Sequence, residues 1–173
     1  MKVIFILKNS LKEFLNDYDK VIILGIGNEL KRDDGVGPFI ISELQKLDFT
    51  DKVILINAQT VPENFTGKIR RENPSHIIII DACLMGLNSG DIKIVDSEDF
   101  VNIGISTHSM SLSYFIKFLN VGNILFIGIE PQSLELIDED ILGFDVSDNF
   151  NGNLSKPVKK SAFELIEILK GIL

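Results

Sequence analysis

Only one cysteine, Cys83, occurs in the 173-residue chain, so no internal disulfide can form. A reducing compartment such as the cytoplasm is the natural setting. Basic residues are also scarce. Lys and Arg number 17 against 25 Asp and Glu, a formal net charge of −8. Nucleic-acid binders usually show a basic patch or stripe, so this balance argues against one. The one basic cluster, Lys156, Lys159 and Lys160, opens the last helical segment and reads as a solvated face. Long apolar runs are missing too. Nothing approaches the ~20 apolar residues of a membrane span, so no membrane insertion is expected. The opening MKVIFILKNSLKEFLNDYDK has a short apolar stretch that charges soon interrupt. It lacks the h-region and small-residue cleavage site of a signal peptide. No internal repeat or low-complexity tract is present.

What is there is a core. Hydrophobic residues make up 45% of the chain, with isoleucine over-used. A chain of this length buries about 70% of its unfolded surface and needs no metal or disulfide staple. One α/β domain spanning 1–173 is expected, with 1–19 as an N-terminal extension.

Leu11, Phe14, Leu15 and Tyr18 recur at helical spacing, which predicts a short helix over 9–18. Continuous apolar runs predict buried strands at Val21–Gly25, Val53–Asn57, Ile77–Asp81, Ile92–Val95 and Ile124–Ile129. A helix follows the first strand. Pro38 is tolerated only in a first turn, so that helix begins near 34–36. Further helices are expected over 108–119, with Met110, Tyr114, Phe115 and Phe118 on one side, and over 157–172. The acidic, Asn- and Gly-rich stretch 136–156 reads as a surface loop.

Strands alternating with helices imply a parallel sheet covered on both faces. One connection breaks the rule. Residues 82–91, which separate strands three and four, contain no helix, and a parallel crossover normally needs a dozen residues or more. Strand four is therefore expected to run antiparallel. The link at 96–107 can span about 40 Å when extended, enough to return the chain to the opposite edge. His108 would then begin a helix where strands one and three end. Ligands of open α/β sheets bind beyond the carboxyl ends of strands, where strand order reverses. If strand one lies between two and three, Asp34, Asp81 and His108 can converge there.

The segment GIGNELKRDDGVG, residues 25–37, resembles a phosphate loop until its glycines are counted. The dinucleotide fingerprint needs G-x-G-x-x-G, and the third position falls on Leu30. Asn57 stands where a ribose-binding acid is expected. Two carboxylates, Asp33 and Asp34, would repel a pyrophosphate. No P-loop, no G-x-S-x-G elbow and no H-E-x-x-H motif occurs. A Cys83–His108 pair is conceivable as a nucleophile and base. A lone cysteine just past a buried strand is more simply structural, as is His76.

What remains is an acid–acid–His set. Asp33 fits a helix N-cap. Asp81 ends four consecutive isoleucines and can serve as a loop carboxylate accepting amides or as part of a site. His108 follows Ser106 and Thr107 and can equally be a first-turn surface residue.

At these residues the sequence resembles the nickel–iron hydrogenase maturation endopeptidases, over roughly 21–135. VIILGIGNELKRDDGVG resembles the family's G-x-G-N-x-L-x-x-D-[DE]-x-x-G signature. IIIIDAC carries Asp81, ISTHSMSL resembles S-x-H-x-x-[GS]-L around His108, and IGIEPQSLEL is a fourth match. The resemblance implies a three-layer α/β/α, phosphorylase/hydrolase-like fold with a mixed five-stranded sheet in order 2-1-3-5-4 and strand four antiparallel. It implies an aspartic-type endopeptidase that removes the C-terminal extension of a hydrogenase large-subunit precursor after nickel insertion. Asp34, Asp81 and His108 match the catalytic, metal-contacting positions. No cofactor is permanently bound, and nickel arrives with the precursor. One departure is Asn57, where many members carry aspartate. Two carboxylates and an imidazole are borderline ligands able to complete a Ni²⁺ shell. Two other readings stay open: a nickel-sensing or chaperone module that binds without cutting, and a small nucleotide-binding domain.

Overall fold

The computed structural model describes residues 2–95, 115, 116, 118, 119, 121–137 and 153–173. Five strands form one sheet: β1 (Val21–Ile26), β2 (Val53–Gln59), β3 (His76–Ala82), β4 (Ile92–Val95) and β5 (Asn123–Ile129). Their order is β2-β1-β3-β5-β4. The pairs β1/β2, β1/β3 and β3/β5 are parallel, and β4 runs antiparallel to β5. The sheet order and the reversed fourth strand match expectation.

Alternation along each strand serves two cores. Val21 and Ile23 on β1, Ile78 and Ile80 on β3, and Ile127 and Ile129 on β5 pack on one face. Ile22, Leu24, Ile77, Ile79 and Phe126 pack on the other. Both faces are covered, so β1 and β3 are buried at every position. A continuous apolar run is the sequence signature of such a strand.

The first face is covered by α1 (Lys2–Phe14), α2 (Val36–Leu44) and the C-terminal helix α4 (Lys156–Lys170). Phe39 of α2 meets Phe163 of α4 edge to face, with ring centroids 5.5 Å apart. The second face receives Ile69 of α3 (Thr66–Glu72) together with Phe115 and Leu119. α2 carries the chain from β1 outward to β2, and α3 carries it back across to β3, on opposite faces. Right-handed crossovers in opposite directions require this. The strand order reverses between β1 and β3.

Three expectations need correction. α1 begins at Lys2, not near residue 9. Its buried stripe is Leu7, Leu11 and then Leu15 just past its end, at spacings of four. The apolar run VIFIL was the obstacle, since Phe5 and Ile6 within it are exposed. α3 was not anticipated. Its sequence TGKIRRE buries one side chain, Ile69, and so carries no periodic signal. In the segment expected as helix 108–119, residues 115, 116, 118 and 119 are helical, but Phe118 is exposed. The inward pair is Phe115 and Leu119, spaced i,i+4. The link at 96–107, His108 and most of the 136–156 loop lie outside the described residues.

The connection from β3 to β4 is short because Glu130 organises it. One Glu130 carboxylate oxygen accepts the amides of Met85 (2.7 Å) and Leu87 (3.1 Å). The Glu130 carbonyl accepts Gly90 N–H, and its own N–H donates to the Asp91 carbonyl. A helix is unnecessary when one residue just past β5 ties the returning loop.

His76 sits at the amino end of β3, buried, against the edge of Phe14 and 2.9 Å from Ser75 Oγ. It is structural, as expected. Burial lowers its pKa, with Asp17 opposing in part. The folded form therefore binds fewer protons than the unfolded chain. Stability should be full above the unfolded value of about 6.5 and fall as pH drops through it. Thermal melts of wild type from neutral to mildly acid pH should show this slope, flattened in His76→Gln. Leu11→Ala should cost about 2–5 kcal/mol, read from the urea midpoint, because α1 belongs to the main core.

Candidate functional site

The site region grows from β1. Its last residues lead through Gly27 and Asn28 into a 3₁₀ turn, Arg32–Gly35, and directly into α2. The glycines make room for backbone, not for a phosphate. Gly27 has φ +143°, and a Cβ there would lie 1.8 Å from the Asp34 carbonyl oxygen. A Cβ on Gly37 would lie 2.2 Å from the Ile26 carbonyl oxygen and 2.6 Å from that of Ile80. The entry to α2 is thus pressed against the ends of both β1 and β3. Asp34 and Asp81 stand at that one sheet edge, beside the point where strand order reverses.

The two adjacent aspartates differ sharply. Asp33 is fully buried and does not cap a helix, since neither the 3₁₀ turn nor α2 has a side-chain cap bond. Its Oδ2 instead accepts the amides of Gln132 (2.8 Å) and Ser133 (3.0 Å), and its Oδ1 accepts that of Ser155 (2.7 Å). The N-cap expectation considered only neighbours in sequence. The partners lie about a hundred residues away in the chain, and tertiary folding alone brings them in.

Asp34 is 3% exposed. Its Oδ2 accepts Asn28 N–H at 3.1 Å. Its Oδ1 is buried with no hydrogen-bond partner among the described residues. Buried carboxylate oxygens are normally satisfied, so an orphaned one calls for an explanation, such as a catalytic role, a water or an ion. Asp81 is fully buried inside β3, not in a loop, and its Oδ1 accepts Ala82 N–H at 2.8 Å. His108, the third expected member, lies outside the described residues. Among those described, no group of three His, Cys, Asp or Glu is placed to hold a metal. The orphan oxygen of Asp34, a hard anionic donor, fits a divalent cation brought to this edge.

Cys83 follows one residue after β3 and is buried. Its thiol is pushed far above the ordinary range, first by burial, then by the nearby charges of Asp81 and Glu130. A thiol held protonated is no nucleophile, which leaves the structural reading of Cys83. Asn57 is half-buried near the end of β2 and uses its side-chain oxygen to accept Gln59 N–H at 3.2 Å. Gln59, at φ +48°, in turn accepts Gly27 N–H through its carbonyl at 2.9 Å. Asn57 therefore shapes the loop wall beside the site. Arg32 also has positive φ, +40°, and its buried Nε has no partner among the described residues. Neither Arg32 nor Glu130 was singled out from sequence. Their signals were a place inside the motifs VIILGIGNELKRDDGVG and IGIEPQSLEL, next to Asp33 and to the end of β5.

The hydrogen-bond difference between the aspartates sets a stability contrast. Asp33→Ala removes the shared acceptor of three part-buried amides and should cost about 2–3 kcal/mol. Asp34→Asn keeps an oxygen for Asn28 and removes a buried charge, so its melting temperature should stay near wild type. Parallel thermal melts check both.

The sequence model of a family described as "Hydrogenase maturation protease" (HycI) matches residues 38–171. The chain is 31% identical over 153 residues to the Hydrogenase 3 maturation protease of Escherichia coli K12, covering 87% of this chain and 88% of that one. The crystal structure of a [NiFe] hydrogenase maturation protease HycI from Thermococcus kodakarensis superposes with a TM-score of 0.77 at 26% identity, covering 95% of this chain and 98% of that one. The solution structure of the endopeptidase HycI from Escherichia coli gives 0.71 at 27% identity, over 88% and 90%. Alternate glycines that admit backbone, an orphaned carboxylate at the strand-order reversal and the 2-1-3-5-4 sheet thus occur in a chain that belongs to the hydrogenase maturation protease family.

Proposed function

We propose that this protease removes the C-terminal extension from the large-subunit precursor of a nickel–iron hydrogenase, once nickel has been inserted. In this reading Asp34, Asp81 and His108 contact the nickel that the precursor carries, and no cofactor is permanently bound. The observation that carries it is the buried Oδ1 of Asp34, unpartnered among the described residues, at the edge that also bears Asp81.

The chemistry suits a transient contact. Carboxylate oxygens and an imidazole are adequate nickel ligands but too few to bind the ion tightly alone. Asp34 Oδ1 has no partner among the described residues, and Asn28 N–H already fixes the other oxygen. Asp81 is held by the Ala82 amide. Such preset carboxylates lose little entropy on engaging a metal. Bond cleavage then follows the aspartic-type route, with a carboxylate as base on water, or rests on placing the scissile bond by proximity. Neither aspartate has the D-[TS]-G context of pepsin-like enzymes.

The surface around the site supports a protein substrate. Leu30, Val61, Leu84, Leu87 and Leu136 are all exposed. Each stands in a loop beyond the carboxyl end of β1, β2, β3 or β5. Exposed aliphatic side chains ringing one sheet edge suit a macromolecular partner better than a small polar ligand. No helix among the described residues is long and apolar enough to cross a membrane.

The test is to incubate nickel-loaded precursor with wild type and with Asp34→Ala, Asp81→Ala and His108→Ala, reading precursor mass. Wild type should release the C-terminal peptide, and each variant should lose activity by orders of magnitude. Binding without peptide loss by the wild type would favour the nickel-chaperone reading instead. Undiminished cleavage by all three variants would remove these residues from the site.

A further inference from the structure

Beside the carboxylate edge lies a cleft of about 320 Å³ lined by Gly27, Asn28, Glu29, Leu30, Gln59 and Thr60. Its two walls are the loops leaving β1 and β2, tied by the Gly27 N–H to Gln59 carbonyl bond at 2.9 Å. The cleft abuts the reaction site directly, because Asn28, in its wall, donates its amide to Asp34.

Among the described residues, Glu29 is the only charged one in the lining. It is half-buried, and among the described residues its carboxylate makes no hydrogen bond and no ion pair. Neither Lys31 nor Arg32, close in sequence, lines the cleft or pairs with it. A half-buried carboxylate that lines an open cleft, with no cation beside it among the described residues, can accept one from outside. Burial raises its pKa accordingly. Beside it, Leu30 is exposed and offers an aliphatic surface.

We infer that this cleft is a substrate subsite in which Glu29 receives a basic side chain of the precursor, Lys or Arg, whose aliphatic stem lies along Leu30. The charge complements Glu29, and the long stem of a basic residue suits an apolar neighbour. Glu29 is thus a specificity-determining residue: it contacts substrate but moves no proton in the reaction. The inference rests on the protease reading above.

The experiment measures steady-state cleavage of nickel-loaded precursor by wild type, Glu29→Gln and Glu29→Lys. In parallel, each Lys, Arg and His flanking the cleaved bond of the precursor is replaced singly by Gln. Glu29→Gln should raise KM by about tenfold with kcat held. One precursor substitution should raise KM equally with wild-type protease and add nothing with Glu29→Gln. Replacing that same precursor residue by Glu should partly restore cleavage by Glu29→Lys. A purely structural Glu29 would show neither the matched precursor position nor the charge-swap rescue. Wild-type cleavage with KM indifferent to Glu29 overturns this inference and leaves the protease reading standing. Were Glu29→Gln to misfold, the precursor series decides alone: indifference to every basic residue overturns the inference. No cleavage by the wild type overturns both.

Discussion

The close approach of backbone to backbone at the entry of α2 is the constraint on which the site depends. Gly27, Gly25 and Gly37 bring the Asp34 and Gly37 peptide groups against the ends of β1 and β3, where no Cβ fits. That contact fixes the 3₁₀ turn in space. It sets Asp34 at the carboxyl end of β1, the same edge of the sheet at which Asp81 closes β3. A looser turn would still permit α2 to cover the sheet, since Ile40, Ile41 and Leu44 supply that packing. It would not hold a carboxylate over the reversal of strand order. The glycines are spent on position, and the isoleucine core on stability.

Two neighbouring aspartates then divide the work by their partners. Asp33 spends both oxygens on amides from the segments after β5 and before α4. It joins three parts of the chain at the rim of the site. Asp34 leaves one oxygen unanswered among the described residues. Folding gains nothing from a buried acceptor without a donor. Such local frustration is tolerated where a bound group completes it. Saturated neighbours hold the unsaturated one in place, which is how a rigid edge can present an open ligand.

The loops at that edge show the same economy. Glu130 ties the β3–β4 connection and lets it stay short and free of helix. Asn57 holds the end of β2 through Gln59, whose carbonyl is bound by Gly27. Leu30 and the chain at Ile137 are joined by a backbone hydrogen bond at 3.0 Å. Exposed leucines are therefore carried on loops that are pinned by polar contacts, not on loops left to move. The cleft at Glu29 belongs to this frame and inherits its fixed walls.

Short continuous apolar runs by themselves pointed to the strands, because β1 and β3 are buried on both faces and four successive isoleucines in β3 leave no polar side. The short β3–β4 connection determined that β4 is antiparallel, since chain length alone forbids a crossover there. Motif order pointed to Asp34 and Asp81. Tertiary structure decided the rest. α3 buries one side chain and leaves no pattern to read. The apolar face of α1 was misjudged because Phe5 and Ile6 are exposed within an apolar run. Above all, motif position set Asp34 apart from Asp33, but local sequence held no physical reason for the difference and misread Asp33 as a helix cap. They are identical side chains at adjacent positions, and the distant amides of Gln132, Ser133 and Ser155 supply that reason. Hydrogen bonds formed across the fold, not local chemistry, decide which carboxylate is structural and which is left open.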